Sequence, residues 1–194
     1  MNNQNPSIVG GIVLAAGQSS RYGSDNKLLA NVNDTPMVVH VAETIAQSSL
    51  DDIAAVVGHE HDAVSAHLEP VVDVIQYNDR YTEGQSTSIC SGVELAQQRN
   101  WDAAVFCLGD MPFVDTMTID QLRHMYSYGQ SSIVVPRYDG RRGNPVLFDR
   151  IHFEALSRLS GDTGGREILT KHDETQFVDV DDPGVIDDID TQPE

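Results

Sequence analysis

Cysteine is scarce in these 194 residues: Cys90 and Cys107 are too few for a disulfide scaffold or a cysteine-rich metal cluster. Cys107 lies in the apolar run Ala103-Ala104-Val105-Phe106-Cys107-Leu108, and both thiols are expected to be buried and reduced. Tryptophan occurs once, at Trp101, where packing is the expected role. No apolar run approaches the ~20 residues of a membrane-spanning helix. The opening Met1-Asn2-Asn3-Gln4-Asn5-Pro6 has neither the basic nor the apolar region of a secretory signal, so a cytoplasmic location is expected. Positive charge is the scarcest commodity: 12 Lys plus Arg stand against 30 Asp plus Glu, a formal net charge of −18. Such a field repels nucleic acid and anionic membranes, and neither is an expected partner. Only 2 residues are lysine against 10 arginines, and 21 are aspartate against 9 glutamates. That balance reads as a surface adapted to concentrated salt, where screening weakens charge self-repulsion, and predicts a halophilic source.

The length suits one domain over residues 1–194, large enough to bury a core. Apolar runs of strand length alternate with stretches of helical period. Strands are expected at Ile8–Leu14, Ile53–Val57, Val71–Gln76, Ala103–Leu108, Ser132–Val135, Pro145–Phe148 and Phe177–Val180. Helices are expected at Pro36–Ser48, Ser86–Arg99, Asp115–Tyr128 (with Asp115 as N-cap), Arg150–Leu159 and Gly165–His172. Segment 137–143 reads as a loop. The alternation predicts an α/β fold with a mostly parallel sheet, whose ligands bind beyond the carboxyl ends of the strands.

The richest segment runs from Leu14-Ala15-Ala16-Gly17-Gln18-Ser19-Ser20-Arg21 to Lys27. A hydrophobic strand feeds a loop of small residues, and the loop carries two cations into an acidic protein. Small residues let backbone N–H groups approach an anion, and Arg21 and Lys27 add charge that a polyphosphate can use. The alternative, a Gly/Ser surface loop with two stray cations, does not account for the strand that precedes it. Directly after the fourth strand stands Gly109-Asp110-Met111-Pro112, which holds a carboxylate at the rim of the sheet. Aspartate oxygen is a hard ligand suited to Mg²⁺ bound with substrate phosphates; an ordinary turn or capping Asp is the other reading. Asp188 and Asp190 share a face if their stretch is extended, and either could supply a second carboxylate. His59-Glu60-His61 follows Gly58 as a turn and lacks a third ligand, so it is not read as a metal site, although Gly58 can border a ligand. Asp162-Thr163-Gly164-Gly165-Arg166 opens a helix whose free N–H groups suit either an anion or simple capping by Asp162.

These segments together resemble the Rossmann-like nucleotidyltransferases of the molybdenum cofactor type. Leu14-Ala15-Ala16-Gly17-x-Ser19-x-Arg21-x-Gly23 with Lys27 is similar to the family signature, and Gly109-Asp110-Met111-Pro112 to its metal motif. Asn78-x-x-Tyr81-x-x-Gly84-x-x-x-Ser88 resembles the segment that lines the nucleotide. Gly143-Asn144-Pro145 resembles the Gly-His-Pro element near the pterin, with Asn in place of His, and Asp188-Ile189-Asp190-Thr191 the C-terminal aspartate motif. The matches follow the family's order across essentially the whole chain.

The resemblance implies a three-layer fold with a twisted sheet and a Mg²⁺-dependent reaction. CMP passes from CTP to the terminal phosphate of molybdopterin, and pyrophosphate leaves. It assigns catalysis to Lys27, Arg21 and Asp110, and Mg²⁺ to Asp110 and Asp190. It places the nucleotide on Leu14, Ala15, Ala16, Gly17, Ser19, Arg21, Lys27, Gly58, Asn78, Gly84, Ser88 and Gly109, and the acceptor on Gly143, Asn144, Pro145, Gly164 and Arg166. Leu14-Ala15-Ala16-Gly17 resembles the cytidylyl branch; the guanylyl branch carries two glycines after Leu-Ala, and Ala16 narrows the space for a base. A guanylyltransferase, a transferase for another phosphorylated acceptor, and a non-catalytic carrier serving a molybdenum hydroxylase apo-enzyme remain as alternatives.

Overall fold

The computed structural model describes residues 7–18, 26–129, 131–162, 164–169 and 175–189. Strands β1 (Val9–Ala15), β4 (Asp52–Val57), β5 (Val74–Tyr77) and β6 (Ala103–Leu108) alternate with helices α1 (Met37–Ala46), α2 (His61–Leu68) and α3 (Gln85–Gln98). A two-stranded hairpin, β2 (Asn31–Val32) and β3 (Thr35–Pro36), precedes α1. After β6 come α4 (Thr116–Ser127), β7 (Ile133–Tyr138), β8 (Arg141–Arg142), β9 (Val146–Asp149), α5 (Phe153–Leu156), α6 (Arg166–Leu169) and β10 (Thr175–Asp179).

The main sheet has the order β10-β7-β9-β6-β1-β4-β5, with β8 paired to β7. All neighbours along it are parallel except those of β9, which runs antiparallel to both β6 and β7. It is the expected α/β fold with a mostly parallel sheet. One face buries Val9, Val13, Val105 and Cys107 against Val38, Val41 and Ile45 of α1, Val64 and Leu68 of α2, and Ile119 and Leu122 of α4. The other buries Ile12, Ala104 and Phe106 against Ile89 and Val93 of α3, Trp101, and Phe153 and Leu156 of α5. Alternating residues of β1 and β6 therefore serve opposite layers, as the pleat requires. Burial on both faces explains why neither strand alternates polar and apolar residues.

Trp101 is fully buried and lies across β1: a Cβ at Gly10 would sit 2.3 Å from its ring atoms. A glycine in mid-strand thus makes room for the indole. The indole N–H donates to Asp52 Oδ2 at 2.9 Å, and Arg99 donates to the same carboxylate. Both cysteines are free; Cys107 is buried, and Cys90 donates to Leu156 O at 3.6 Å. Burial pushes both thiols above their ordinary range. No helix among the described residues is long and apolar enough to cross a membrane.

Several expectations are corrected. Segment 137–143 is not a loop: β7 runs on to Tyr138 and turns through Asp139 and Gly140, at φ 48° and 73°, into β8. Asn33 and Asp34, at φ 49° and 68°, make the same kind of turn between β2 and β3, as two-residue hairpins require. Helix α2 is unforeseen because only Val64 and Leu68 are buried on it. Val71 and Val72 both donate to Leu68 O and close that helix, so β5 starts only at Val74. Arg150–Leu159 is not one helix: a 3-10 turn at Arg150–His152 leads into the short α5. Asp115 is the N-cap of α4 and accepts from Met117 N at 2.8 Å.

The Asp52 cluster predicts a pH response. Burial raises the pKa of this carboxyl, but the hydrogen bonds from Arg99 and Trp101 outweigh it, and the net shift is below the usual 3.8. A depressed folded-state pKa contributes stability that is present above the unfolded value and lost as pH falls through the folded one. Asp52→Asn should therefore flatten the acid limb of the stability profile below about pH 4, read as urea midpoints between about pH 3 and 7. An acid limb as steep as that of the parent chain would sink the assignment.

Candidate functional site

Strand order places the site. From β1 the chain adds β4 and β5 on one side, then crosses back to lay β6 on the other. The reversal opens a crevice at the carboxyl ends of β1 and β6, the usual ligand position in open α/β sheets. Leu14 pairs with Leu108 in the parallel register, so the segments after both strands emerge together.

Close backbone approaches define the crevice floor. Gly109 N donates to Leu14 O at 3.0 Å, and a Cβ there would lie 2.9 Å from the same oxygen. His59 N donates to Ala16 O at 3.3 Å, and a Cβ at Gly58 would meet Tyr81 Cβ at 2.6 Å and Ala16 Cβ at 2.8 Å. Ala15 is fully buried and Ala16 is 2% exposed. Among the described residues, a Cβ at Gly17 would meet nothing within 4 Å. Ser19, Arg21 and Asp190 lie outside the described residues.

Lys27 opens a 3-10 turn, Lys27–Leu29, capped by Asn26, whose Oδ1 accepts from Leu28 N at 3.1 Å. The turn brings Lys27 Nζ to 2.8 Å from Asp110 Oδ2. The side chains are 10% and 27% exposed, so this is a largely buried pair at the switch point of the sheet. A buried cation needs such a partner, because desolvation penalises it heavily otherwise. Among the described residues Asp110 Oδ2 takes the lysine, which leaves Oδ1 as a hard acceptor at the rim. Ile189 N donates to Asp110 O at 3.1 Å and brings the stretch containing exposed Asp188 alongside. No group of three or more His, Cys, Asp or Glu that could hold a metal occurs among the described residues. His59 faces Tyr81 with ring centroids 6.1 Å apart, and His61 pairs with Asp62 at 3.2 Å.

Asn78 and Ser88 are brought together, but by each other. Asn78 is 3% exposed; its Nδ2 donates to Thr87 Oγ1 at 2.9 Å and Ser88 Oγ at 3.2 Å, and its Oδ1 accepts from Arg80 N. The amide ties the end of β5 to the first turn of α3. Gly84 precedes that helix at φ 116°, and a Cβ would lie 2.5 Å from Gly161 O.

Across the crevice lies a cavity of about 220 Å³. Its wall includes Leu14 and Leu108 from the strand ends, Phe106 and Phe148 from the sheet, and Gly143, Asn144 and Gly164. Four residues expected at a ligand are thus collected from three distant segments. Pro145, joined to Asn144 by a cis peptide bond, is buried behind them. Arg166 begins α6, directly beyond Gly164 and Gly165. The sequence reading missed Gln85 and Phe148 in this wall; Gln85 follows the flagged Gly84 directly, whereas nothing local marks Phe148.

Residues 11–175 match the MobA-like NTP transferase domain. The chain belongs to that family. Among its relatives, nicotine blue oxidoreductase of Paenarthrobacter nicotinovorans is 28% identical over 193 residues, covering 94% of this chain and 92% of that protein. The bifunctional protein GlmU of Brevibacillus brevis is 34% identical over 127 residues, 64% of this chain and 26% of GlmU. The chain spans a third or less of the GlmU proteins it matches. The crystal structure of Rv0371c from Mycobacterium tuberculosis H37Rv superimposes with a TM-score of 0.81 at 28% identity, over 95% of this chain and 94% of that one. Rv0371c in complex with manganese gives 0.70 at 25%, over 90% and 89%. The MobA-like frame therefore accommodates the switch-point crevice and the cavity beside it.

Asn78→Leu should lower stability by about 1–3 kcal/mol, because it strands buried hydrogen-bonding groups around Ser88 and Arg80. A urea midpoint equal to the parent's would remove Asn78 from this bracket.

Proposed function

We propose that residues 1–194 act as one metal-dependent nucleotidyltransferase domain that moves CMP from CTP to the terminal phosphate of molybdopterin. A phosphate oxygen of the acceptor attacks the α-phosphorus; a P–O bond forms, the bond to the β-phosphate bridge breaks, and pyrophosphate leaves with its electrons. The observation that carries this reading is the Lys27–Asp110 pair at the switch point. It puts one of only 2 lysines of an acidic chain beside a carboxylate, at the strand ends that lead to Gly17 and line a pocket.

The roles follow from the chemistry of displacement between anions, which needs positioning and charge neutralisation more than a side-chain nucleophile. Lys27 and Arg21 neutralise the triphosphate, while backbone N–H groups around Gly17 and Ser19 cradle it. Gly58 and Gly109 keep the floor low enough for phosphate to approach the backbone. Asn78 and Ser88 act on the nucleotide through the first turn of α3, since they bond each other. Gly143, Asn144 and Gly164 face the acceptor in the cavity, with Pro145 behind and Arg166 close in sequence. The donor set fits Mg²⁺: Asp110 has a carboxylate oxygen not taken by Lys27 among the described residues, the bond from Ile189 N to Asp110 O brings the stretch containing Asp188 alongside, and Asp190 is the second carboxylate of the proposal. Asp110, with Asp190, would hold the ion, which would supply neutralisation of the charge that develops on the phosphates. The manganese-bound neighbour supports a divalent ion of this kind.

For the base, Ala16 favours a pyrimidine. Its methyl is buried against the Gly58 position, so it acts through the strand end it packs on. The acidic surface is read as salt adaptation in a cytoplasm, with a molybdenum hydroxylase apo-enzyme as the eventual recipient of the product. Nicotine blue oxidoreductase, whose match is nearly full-length, supports a second reading in which the same frame serves redox chemistry.

Pyrophosphate release is the discriminating assay, run with CTP or GTP, Mg²⁺, molybdenum-loaded molybdopterin and molar KCl. CTP-dependent release is expected. GTP-dependent release would keep the mechanism and overturn the base. Release with neither nucleotide by folded protein would remove the molybdopterin reading in favour of another acceptor, a carrier or the redox reading. Asp110→Asn should cut turnover by at least about 100-fold with the circular dichroism spectrum unchanged; undiminished turnover would take Asp110 out of the chemistry.

A further inference from the structure

Beyond β10 the chain makes a 3-10 turn, Pro183–Ile186, and continues to Ile189. Asp182 precedes the turn. It is 7% exposed, yet no cation pairs with it among the described residues. Three donors from two elements satisfy its carboxylate: Gly184 N reaches Oδ1 at 2.9 Å, while Asp115 N at 2.9 Å and Thr118 Oγ1 at 2.7 Å reach Oδ2. The turn is thereby fastened to the start of α4. It also sits hard on the segment that follows Asp110: a Cβ at Gly184 would lie 2.1 Å from Phe113 O.

From this anchorage the segment reaches both halves of the site. Val185 O accepts from Asn144 N at 2.8 Å, and a Cβ at Gly143 would lie 2.3 Å from the same oxygen. Four residues on, Ile189 N donates to Asp110 O at 3.1 Å. One strap of eight residues, 182–189, therefore holds the Gly143-Asn144 turn with one bond and the Asp110 backbone with another. Neither bond involves a side chain; of the strap's own side chains, Asp182 bonds it to α4 and Val185 is fully buried.

We infer that Asp182 is a positioning residue: by anchoring the strap it sets the separation between Asp110 and the Gly143-Asn144 turn, and so the alignment of nucleotide and acceptor. This rests on the proposed transferase reading for its effect on rate, but not for the coupling itself. Displacement in line tolerates little error, and a misplacement of about 1 Å can cost on the order of 100-fold in rate. Among the described residues Ala16, Gly17 and Gly58 make no hydrogen bond with the strap, and affinity for the triphosphate should be kept.

The test uses Asp182→Asn, which keeps the shape but turns an amide N–H₂ toward one of the donors, and the milder Thr118→Val, which removes one donor. Asp52→Asn, at the opposite edge of the sheet, is the control for general destabilisation. Amide hydrogen exchange is read first. Asn144 and Ile189 should lose protection together by about 10-fold or more, with Val13 and Val105 in the central strands unchanged, an outcome the control should not reproduce. In the pyrophosphate assay kcat should fall about 10- to 100-fold with KM for CTP unchanged, more in Asp182→Asn than in Thr118→Val. Unchanged protection at Asn144 and Ile189 in both variants would overturn the inference, as would a loss matched by the control. So would unchanged kcat despite lost protection. Should the parent chain release no pyrophosphate, the transferase reading fails by itself, and the exchange data alone decide whether Asp182 anchors the strap.

Discussion

Everything at the site depends on β1 being paired on both sides along its length. Its register with β4 runs from Gly10↔Asp52 to Ala15↔Val57, and with β6 from Val9↔Ala103 to Leu14↔Leu108. A strand so held has no freedom to slip, because a one-residue shift would exchange the two faces of the core. The loop after Ala15, the turn at Gly58 and the carboxylate at Asp110 therefore leave the sheet at one edge. Trp101 reinforces this from the other end, closed over Gly10 and bonded to Asp52. The amino-terminal edge holds the sheet together, and the carboxyl-terminal edge is left open to ligands.

Within that frame the Lys27–Asp110 contact is electrostatically unusual. In a chain of formal charge −18, a lysine has carboxylates almost everywhere to choose from. It is instead held by a capped 3-10 turn at one carboxylate that the sheet itself positions. Ion pairs such as Arg80–Glu83 and Arg137–Asp179 are substantially exposed and add little each, and the better-buried Arg99–Asp52 pair lies at the other end of the strands. A largely buried cation at the carboxyl ends of the strands is what separates this locus from the general acidity of the surface.

Much of the architecture was legible in the sequence. The β6 run was expected as it stands because burial on both faces makes it almost wholly apolar, and Asp115 was readable as an N-cap because capping is local chemistry. The hairpin at Asp139-Gly140 carried its own signal, two residues suited to positive φ, and was passed over because Arg137 and Tyr138 do not look like a strand. Helix α2 was hidden by its polarity. At the site, the order of motifs placed Leu14–Gly17, Gly109 and Asp110 together, since strand ends converge by topology. What local patterns did not hold was the contact between buried partners far apart in the chain. Asn78 looked like a ligand residue and is bonded to Thr87 and Ser88. Asp182 looked like one more acid in an acidic stretch and is buried among donors from α4.

The strap has a consequence for how the site comes into being. Synthesis is vectorial, so β1, β4 and β6, with Lys27 and Asp110, leave the ribosome before β9, and the 182–189 segment follows later still. The part of the site around β1, β4 and β6 is built from consecutive βαβ units, whose contacts are close in the chain. The Gly143-Asn144 turn and Asp110 are joined by the pairing of β6 with β9 and, among the described residues, by the bonds of the segment that arrives after both. A nascent chain would thus pass through a stage at which the Lys27–Asp110 pair can form while the Gly143-Asn144 turn still lacks its bond to Val185; under the proposed function, the last piece to dock turns a binding module into one able to join two substrates.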